Sequence, residues 1–404
     1  MQTRIVASLR DLPVGQEAES ILRSCVHCGF CNATCPTYQL TGDELDGPRG
    51  RIYLIKQVLE GQAPSVESQL HLDRCLSCRS CETTCPSGVN YSRLLEIGRH
   101  QLAVTLPRGF GEHTRRWLLR KIIPHSLLFP MLLRIGRMMS PLLPQQLRKK
   151  LPARQRITDW PAPRHARKIL ILQGCVQKYA TPLTNAAAAR VLDSLGISAL
   201  RIAQAGCCGA VSLHLDNELG AQQEARRNID AWWPLVAAGA EAIVASASGC
   251  SLMLKEYAQL LRHDEMYAKK AARVATLSRD LSEVLIATDL SALARYTDQP
   301  IAVHTPCTLQ HGQQQPDILL QILKRAGYQL TATPDSHLCC GSAGTYSMLQ
   351  PVFANQLRDQ KLQTLQSGQP ARIVTANIGC QLHLGSGADL PVTHWIELFD
   401  PLHA

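Results

Sequence analysis

One four-cysteine pattern occurs twice near the amino terminus, and it constrains this chain more than any other feature. The stretch "CVHCGFCNATCP" starts at Cys25 and "CLSCRSCETTCP" starts at Cys75, so both copies read C-x2-C-x2-C-x3-C-P. Thiolates spaced this way along a turning backbone can all face one small metal centre, and the proline, which lacks an N–H and has a fixed φ, ends the turn. The spacing is typical of a segment that wraps around an iron–sulfur cube.

The duplication also predicts how the cysteines are shared between two centres. In two-cluster ferredoxin arrangements the fourth cysteine of each pattern binds the other cluster. We therefore expect two 4Fe–4S clusters, one on Cys25, Cys28, Cys31 and Cys85, and the other on Cys75, Cys78, Cys81 and Cys35. Structural zinc is the alternative, because C-x2-C pairs also bind zinc. Zinc gains nothing from a third cysteine followed by Cys-Pro, so the pattern favours iron.

The chain has sixteen cysteines, which indicates either a disulfide scaffold or metal ligation. Disulfide-dense proteins are small secreted domains, whereas this chain has 404 residues and starts "MQTRIVASLRDLPVGQ", with no apolar signal core. We therefore expect ligation in a reducing cytoplasm.

A second repeat, also marked by cysteines, occupies the carboxy-terminal part of the chain. Each copy carries a cysteine after a β-branched run, a "CCG" motif and a last cysteine, and the first spacing is 32 residues in both copies. The two sets are Cys175, Cys207, Cys208 and Cys250, and Cys307, Cys339, Cys340 and Cys380. Each set is a candidate metal site, for a further cluster or for zinc; the alternative is that these cysteines are small buried hydrophobic residues.

The spacing of strands and helices predicts the fold class. Short runs such as "KILIL" and "AIVA" indicate buried parallel strands, and they alternate with helical patterns such as "TNAAAARVLDSLG". We predict an α+β multidomain chain with a double 4Fe–4S ferredoxin-type domain at 1–100, a basic helical linker at 101–166, and CCG lobes at 167–290 and 298–404. The lobes are expected to be α/β units related by a pseudo-twofold axis.

Positive charge is concentrated in one segment. Residues 108–168 contain fifteen Lys or Arg and two acidic residues, whereas the whole chain has a net charge of +10. The segment could lie on an anionic membrane surface, dock a partner subunit, or pack as two ordinary helices on the rest of the chain. Nucleic-acid binding ranks last, because the segment lacks interleaved aromatic residues and known motifs. Its longest apolar run, "IIPHSLLFPMLL", is too short to span a bilayer.

The double cysteine pattern followed by two Cys–CCG–Cys repeats resembles the iron–sulfur subunits of bacterial glycolate oxidase (glycolate dehydrogenase). The stretch "CVHCGFCNATCPTYQLTGDELDGPRGRIYLIK" is especially similar to those subunits. The resemblance implies an oxidoreductase complex in which flavin-binding partner subunits oxidise glycolate to glyoxylate and this chain passes the electrons toward a quinone. Together with the cysteine usage and the basic segment, this leads us to expect a cytoplasmic chain, peripheral on the cytoplasmic face of the inner membrane, and without catalytic residues of its own. The sequence contains no GxGxxG after a strand, so we expect no flavin on this chain.

Related families leave other functions open. The chain also resembles the iron–sulfur subunit of anaerobic glycerol-3-phosphate dehydrogenase, lactate-utilisation proteins and the CCG subunit of heterodisulfide reductase. In the last of these each repeat ends in C-x2-C, whereas this chain has Met253 and His383 in place of the second cysteine. A subunit for another substrate therefore remains an alternative, as does a catalytic thiol or quinone reductase acting at the CCG cysteines.

Overall fold

The structure is a computed structural model that describes residues 1–155, 159–293 and 297–403 and divides into two compact units. The first unit consists of Met1–Arg116 together with His337–Leu357, and the second consists of the rest of the described chain. Residues 156–158 of the predicted linker, and residue 404 at the end of the predicted second lobe, lie outside the described residues. The domain limits set out above stay predictions.

The amino-terminal part of the first unit is helical. Its helices are α1 (Ala7–Arg10), α2 (Pro13–Ser24), α3 (Phe30–Ala33), α4 (Pro36–Thr41), α5 (Pro48–Leu59), α6 (Val66–Asp73), α7 (Ser80–Thr84) and α8 (Tyr91–Thr105). Helix α5 follows Gly47 and begins with Pro48 in its first turn, where the missing N–H of proline costs no helical hydrogen bond. A Cβ on Gly98 of α8 would lie 2.6 Å from Ile55 of α5, so the two helices approach closely at this glycine.

The basic segment forms helices α9 (Phe110–Ile122), α10 (Leu128–Met138) and α11 (Gln145–Arg148), with a 3-10 turn at Ser140–Leu142. In the described part of the chain every helix is too short or too polar to cross a bilayer.

Two four-stranded parallel sheets follow, and they confirm the predicted α/β repeat. The first repeat contains β1 (Arg167–Leu172), α12 (Gln177–Ala180), α13 (Pro182–Ser194), β2 (Ile197–Arg201), α14 (Ala210–His214), α15 (Glu218–Ala237), β3 (Ala242–Ala245), α16 (Ser248–Lys255), α17 (Tyr257–Leu260), α18 (Ala268–Leu277), β4 (Ser278–Asp280) and α19 (Leu281–Ile286). The second contains β5 (Thr297–His304), α20 (Ile318–Arg325), β6 (Tyr328–Leu330), α21 (Tyr346–Leu349), α22 (Pro351–Gln366), β7 (Arg372–Thr375), α23 (Ile378–Gly385) and β8 (Val392–His394).

Both sheets have the same strand order, β2-β1-β3-β4 and β6-β5-β7-β8, and every pairing is parallel. Strands β1 and β5 are interior in their sheets and supply Ile169 and Ile301 to one shared hydrophobic core. The buried ion pair between Arg190 and Asp400 joins the two repeats, as does a hydrogen bond of 2.9 Å from the Ser248 N–H to the Ala376 carbonyl. The fold class expected from the sequence is therefore confirmed.

Candidate metal centres

The two cysteine patterns fold into the same local structure. Within each pattern two residues have positive φ, namely His27 and Gly29 in the first, and Ser77 and Arg79 in the second. Three of these four are not glycine, and such residues adopt positive φ only when the surrounding structure imposes it. The left-handed residues reverse the backbone before the short helices α3 and α7, so that each pattern wraps around a cavity.

The first cavity has a volume of about 440 Å³ and is lined by cysteines from both patterns. They are Cys25, Cys28, Cys31 and Cys85, with Cys81 also reaching the wall. Burial raises the pKa of Cys25 and raises that of Cys31 to about 11, and the thiols of Cys85 and Cys28 add to both shifts. Thiols gathered side by side in this way are suited to bind a cationic centre, which stabilises the thiolates.

The second cavity has a volume of about 310 Å³ and is lined by Cys35, Cys75, Cys78 and Cys81. Burial raises the pKa of Cys81, and the thiols of Cys78, Cys75 and Cys35 raise it further, so these four sulfurs are near neighbours. The Ser77 N–H donates to Cys75 Sγ at 3.4 Å, and the Tyr91 hydroxyl donates to the same sulfur at 3.6 Å. Such donors stabilise negative charge on sulfur.

A buried ion-pair network adjoins the second cavity. Arg51 of α5 is 1% exposed, and its Nη1 donates to Cys35 Sγ at 3.9 Å. Its Nη2 lies 3.5 Å from the fully buried Asp46 carboxylate, which also accepts from His71 Nδ1 and from Arg74 Nη1, both at 2.9 Å. A cation that cannot lose its charge is therefore fixed next to a sulfur of this cavity.

The sequence analysis did not single out Arg51 or Tyr91. The available signal for Arg51 was its position, because Arg51, Ile55 and Leu59 recur at helical spacing on the buried face of α5. A charge in a core position requires a partner, and here Asp46 provides it. Tyr91 gave no such signal, since a buried tyrosine is ordinary in a core.

The four cysteines of the first CCG repeat come together in the second unit. Hydrogen bonds connect Cys175 to Cys207, Cys207 to Cys208, and Cys208 to Cys250. The hydrogen bond with Cys207, followed by burial, raises the pKa of Cys175. The sequence-predicted set is therefore one contiguous thiol cluster, which could serve as a metal site.

The glycine and the neighbouring polar residues fix the backbone of this CCG motif. Gly209 has φ of +100°, and a Cβ there would lie 3.2 Å from the Ala221 carbonyl oxygen. The Asn228 side chain donates to the Cys207 carbonyl at 2.7 Å, and the Tyr257 hydroxyl donates to the Cys208 carbonyl at 2.8 Å. The adjacent thiols are thus held by a turn that only glycine fits without strain.

The cysteines of the second repeat belong to two units. Cys307 precedes a π-helical turn at Thr308–Gly312, and Cys380 lies in the first turn of α23, where it accepts from Asn377 Nδ2 at 3.5 Å. Both are in the second unit, whereas the buried pair Cys339 and Cys340 is in the first.

The basic segment exposes apolar side chains. Helix α10 has no buried residue among those described, and one of its faces carries Leu128, Met131, Leu132, Ile135 and Met138, each exposed. The spacing is that of a single helical stripe, and Met138 is 81% exposed. Packing against the rest of the chain, one of the interpretations of the sequence, does not cover this stripe.

Family models match the segments that carry the cysteines. A "4Fe-4S dicluster domain" model matches residues 21–89, and a "Cysteine-rich domain" model matches residues 169–255 and 301–385. The first model therefore covers both four-cysteine patterns, and the second model covers the two CCG repeats.

Similar proteins extend the match to the whole chain. The chain is 53% identical to the glycolate oxidase iron-sulfur subunit of Escherichia coli (strain K12), over 99% of this chain and 98% of the relative. It is 31% identical to the probable glycolate oxidase iron-sulfur subunit of Bacillus subtilis (strain 168), over 92% and 90%. Lactate utilization protein A of Bacillus velezensis is 26% identical over 45% of this chain and 76% of the relative. The resemblance seen in the sequence is confirmed: this chain belongs to the family of glycolate oxidase iron–sulfur subunits.

Proposed function

We propose that this chain is the electron-transfer subunit of a glycolate dehydrogenase complex. The observation that carries the proposal is that two cavities are lined by five and by four cysteines, drawn in each case from both patterns. Cys85 of the second pattern lines the first cavity, and Cys35 of the first pattern lines the second. This exchange is the arrangement of two-cluster ferredoxins.

The proposed ligands are Cys25, Cys28, Cys31 and Cys85 for one 4Fe–4S cluster, and Cys75, Cys78, Cys81 and Cys35 for the other. Each cluster, when bound, takes up and releases one electron at a time. The chain's own groups supply the environment: Tyr91 and the Ser77 N–H donate to Cys75, and Arg51 places a positive charge beside Cys35. Both features stabilise the reduced state of the second centre.

Partner subunits would perform the oxidation itself. Conversion of glycolate to glyoxylate releases two electrons and two protons, and a flavin on a partner can accept them as a pair. This chain would then deliver the electrons singly to a quinone, which takes up two electrons and two protons to become a quinol. The 53% identical relative is named as a subunit, which supports an assembly of several chains. On this proposal the isolated chain does not oxidise glycolate.

The first CCG repeat is a third candidate centre. Its four linked thiols form a donor set that suits either zinc or an iron–sulfur cluster. Met253, which replaces the extra thiolate of the heterodisulfide-reductase pattern, is buried, and its Cε would lie 3.4 Å from a Cβ on Gly209. Iron and zinc assays of the double Cys207→Ser, Cys208→Ser variant will distinguish the two metals, and unchanged contents of both will reject the centre.

The basic segment is proposed to attach the chain peripherally to the cytoplasmic face of the inner membrane. The exposed stripe on α10 supplies apolar contact, and exposed basic residues such as Arg148, Lys149 and Lys150 follow it. An amphipathic helix with flanking cations is suited to lie in the plane of an anionic bilayer surface.

Anaerobic purification followed by iron, sulfide and EPR analysis tests the central proposal. We expect about eight irons per chain and signals from two reduced clusters. Cys85→Ser should remove or alter one cluster and leave the other intact, and Cys35→Ser should affect the second one. A colourless, iron-free protein, or zinc at these cysteines, would reject the assignment.

Lactate is the second candidate substrate of the complex, because the chain matches lactate utilization protein A over 45% of its length. Glycolate is favoured because the glycolate oxidase relative matches almost the entire chain. Co-purification of the complex and assay with glycolate, lactate and glycerol-3-phosphate will distinguish the three. Activity with glycerol-3-phosphate alone would exclude both glycolate and lactate as the substrate.

A further inference from the structure

The two CCG repeats differ at a position that their spacing makes equivalent. Six residues after the second cysteine of each pair, the first repeat has His214 and the second has Tyr346. His214 is exposed, whereas Tyr346 is 6% exposed and lies in the first unit with the cysteine patterns. The second repeat therefore contributes a buried hydroxyl to the unit that contains both cavities.

The segment that carries Tyr346 packs beside the residue that precedes the second pattern. The guanidinium of Arg74 lies 4.8 Å from the ring centroid of Phe353, and Arg74 directly precedes Cys75. A cation over an aromatic face is an attractive contact, and here Arg74 is also paired with Asp46. This contact fixes the start of α22, and with it the adjacent α21, next to the second cavity.

The Tyr346 hydroxyl has no hydrogen-bond partner among the described residues, although it is buried. Burial raises the pKa of Tyr346, Arg51 lowers it, and Cys75 and Cys339 raise it, so the hydroxyl lies within electrostatic range of these groups. Arg51 has only donors to offer, and the Asp46 carboxylate, which accepts from His71 and Arg74, makes no hydrogen bond with this hydroxyl. Sulfur is the acceptor chemistry that remains.

We propose that Tyr346 donates a hydrogen bond to sulfur of the cluster assigned above to Cys35, Cys75, Cys78 and Cys81. The inference rests on the proposed function, since it requires that cluster. A buried hydroxyl without a partner is costly, and an inorganic sulfide or thiolate would satisfy it. Tyr346 thus acts as a positioning residue that stabilises the reduced cluster, in addition to Tyr91 on Cys75.

Potentiometric EPR titration of the full-length Tyr346→Phe variant tests this role. Loss of the donor should make reduction of one cluster about threefold to tenfold less favourable, which lowers its midpoint by about 30–60 mV for one electron. The midpoint of the other cluster should not change. Tyr53→Phe is the matched control. Tyr53 of α5 is 48% exposed, so this substitution removes a hydroxyl at the surface.

Exchange into D2O, followed by ENDOR, provides a second measurement. The wild-type protein should show exchangeable protons coupled to the cluster, those of Tyr91 and of the Ser77 N–H among them, and Tyr346→Phe should lack one of these couplings while it keeps its iron. Unchanged midpoints and couplings in an iron-replete variant would overturn the inference and leave the two-cluster assignment intact. Absence of iron from the wild-type protein would instead reject the proposed function.

Discussion

Replacement of Arg51 by methionine should lower the reduction potential of one cluster and leave the other unchanged. Arg51 is fully buried, and its Nη1 lies 3.9 Å from Cys35 Sγ. Methionine has a similar length but no charge, so the substitution removes a fixed cation while it keeps most of the packing volume. Because reduction adds a negative charge to the cluster, loss of a nearby cation makes reduction less favourable.

The size of the effect follows from the distance. A metal–thiolate bond of about 2.3 Å beyond Cys35 Sγ places the Arg51 charge about 6 Å from the metal centre. Two unit charges at that separation interact by about 3 kcal/mol at an effective dielectric constant of about 20. This energy corresponds to about 120 mV for one electron. Asp46, 3.5 Å from Arg51, cancels part of the field, so we expect a decrease of about 40–100 mV.

The assay is a potentiometric EPR titration of variants with their iron content measured in parallel. Arg93→Met is the matched control, because Arg93 of α8 pairs with Glu17 and Glu96 and lines neither cavity. Arg51→Lys should retain most of the wild-type potential, since it keeps the charge. Potentials within about 10 mV of wild type in an iron-replete Arg51→Met protein would refute the electrostatic reasoning, since the expected effect is at least several-fold larger.

Three further predictions concern packing, membrane binding and pH. Gly341→Ala should lower the melting temperature more than Gly344→Ala: both glycines have positive φ, but a Cβ on Gly341 would lie 2.6 Å from a backbone carbonyl oxygen, whereas a Cβ on Gly344 would meet nothing within 4 Å. The free energies of unfolding of the two variants should differ by about 1–3 kcal/mol. Equal decreases in stability would contradict the steric explanation. Ile135→Glu on α10 should weaken co-sedimentation with anionic liposomes several-fold. Leu219→Glu, at an exposed apolar site on α15, should not weaken it. Equal binding of both variants would exclude the stripe as the membrane-binding surface. Burial raises the pKa of Glu397 to about 7 from 4.5, so the folded state binds the proton more tightly and stability is lost as pH rises from 4.5 to 7. The melting temperature of Glu397→Gln should therefore fall less than that of the wild type between pH 5.5 and 7.5. Parallel plots of melting temperature against pH would disprove this.

Local sequence signals predicted the elements that depend on local chemistry. The β-branched runs became the parallel strands β1, β3, β5 and β7, because a strand buried on both faces must be apolar throughout. A glycine after adjacent cysteines is typical of a tight turn, and Gly209 adopts positive φ against a neighbouring backbone. In these cases the residue type itself limits the backbone, so sequence is sufficient.

Features that depend on distant contacts could not be predicted in this way. The burial of Arg51 depends on Asp46 and also on the His71 carbonyl, which is 20 residues away in sequence and comes close only when the helices pack. The exposure of the α10 stripe is equally non-local, since an amphipathic helix gives the same pattern whether its apolar face is covered or not. Periodicity can identify an apolar stripe, but only the structure distinguishes a covered face from an exposed one.

The same distinction limits what equal spacing can imply about the CCG repeats. Both copies place the CCG pair 32 residues after the first cysteine, and both build sheets with the same strand order. Yet Cys207 and Cys208 lie in one unit with Cys175 and Cys250, whereas Cys339 and Cys340 are grouped with the amino-terminal patterns. Both copies have a glycine with positive φ after the pair, whereas the second copy has the buried Tyr346 where the first has the exposed His214. Chemical equivalence of the two repeats therefore does not follow from their symmetry, and each should be assayed for metal separately.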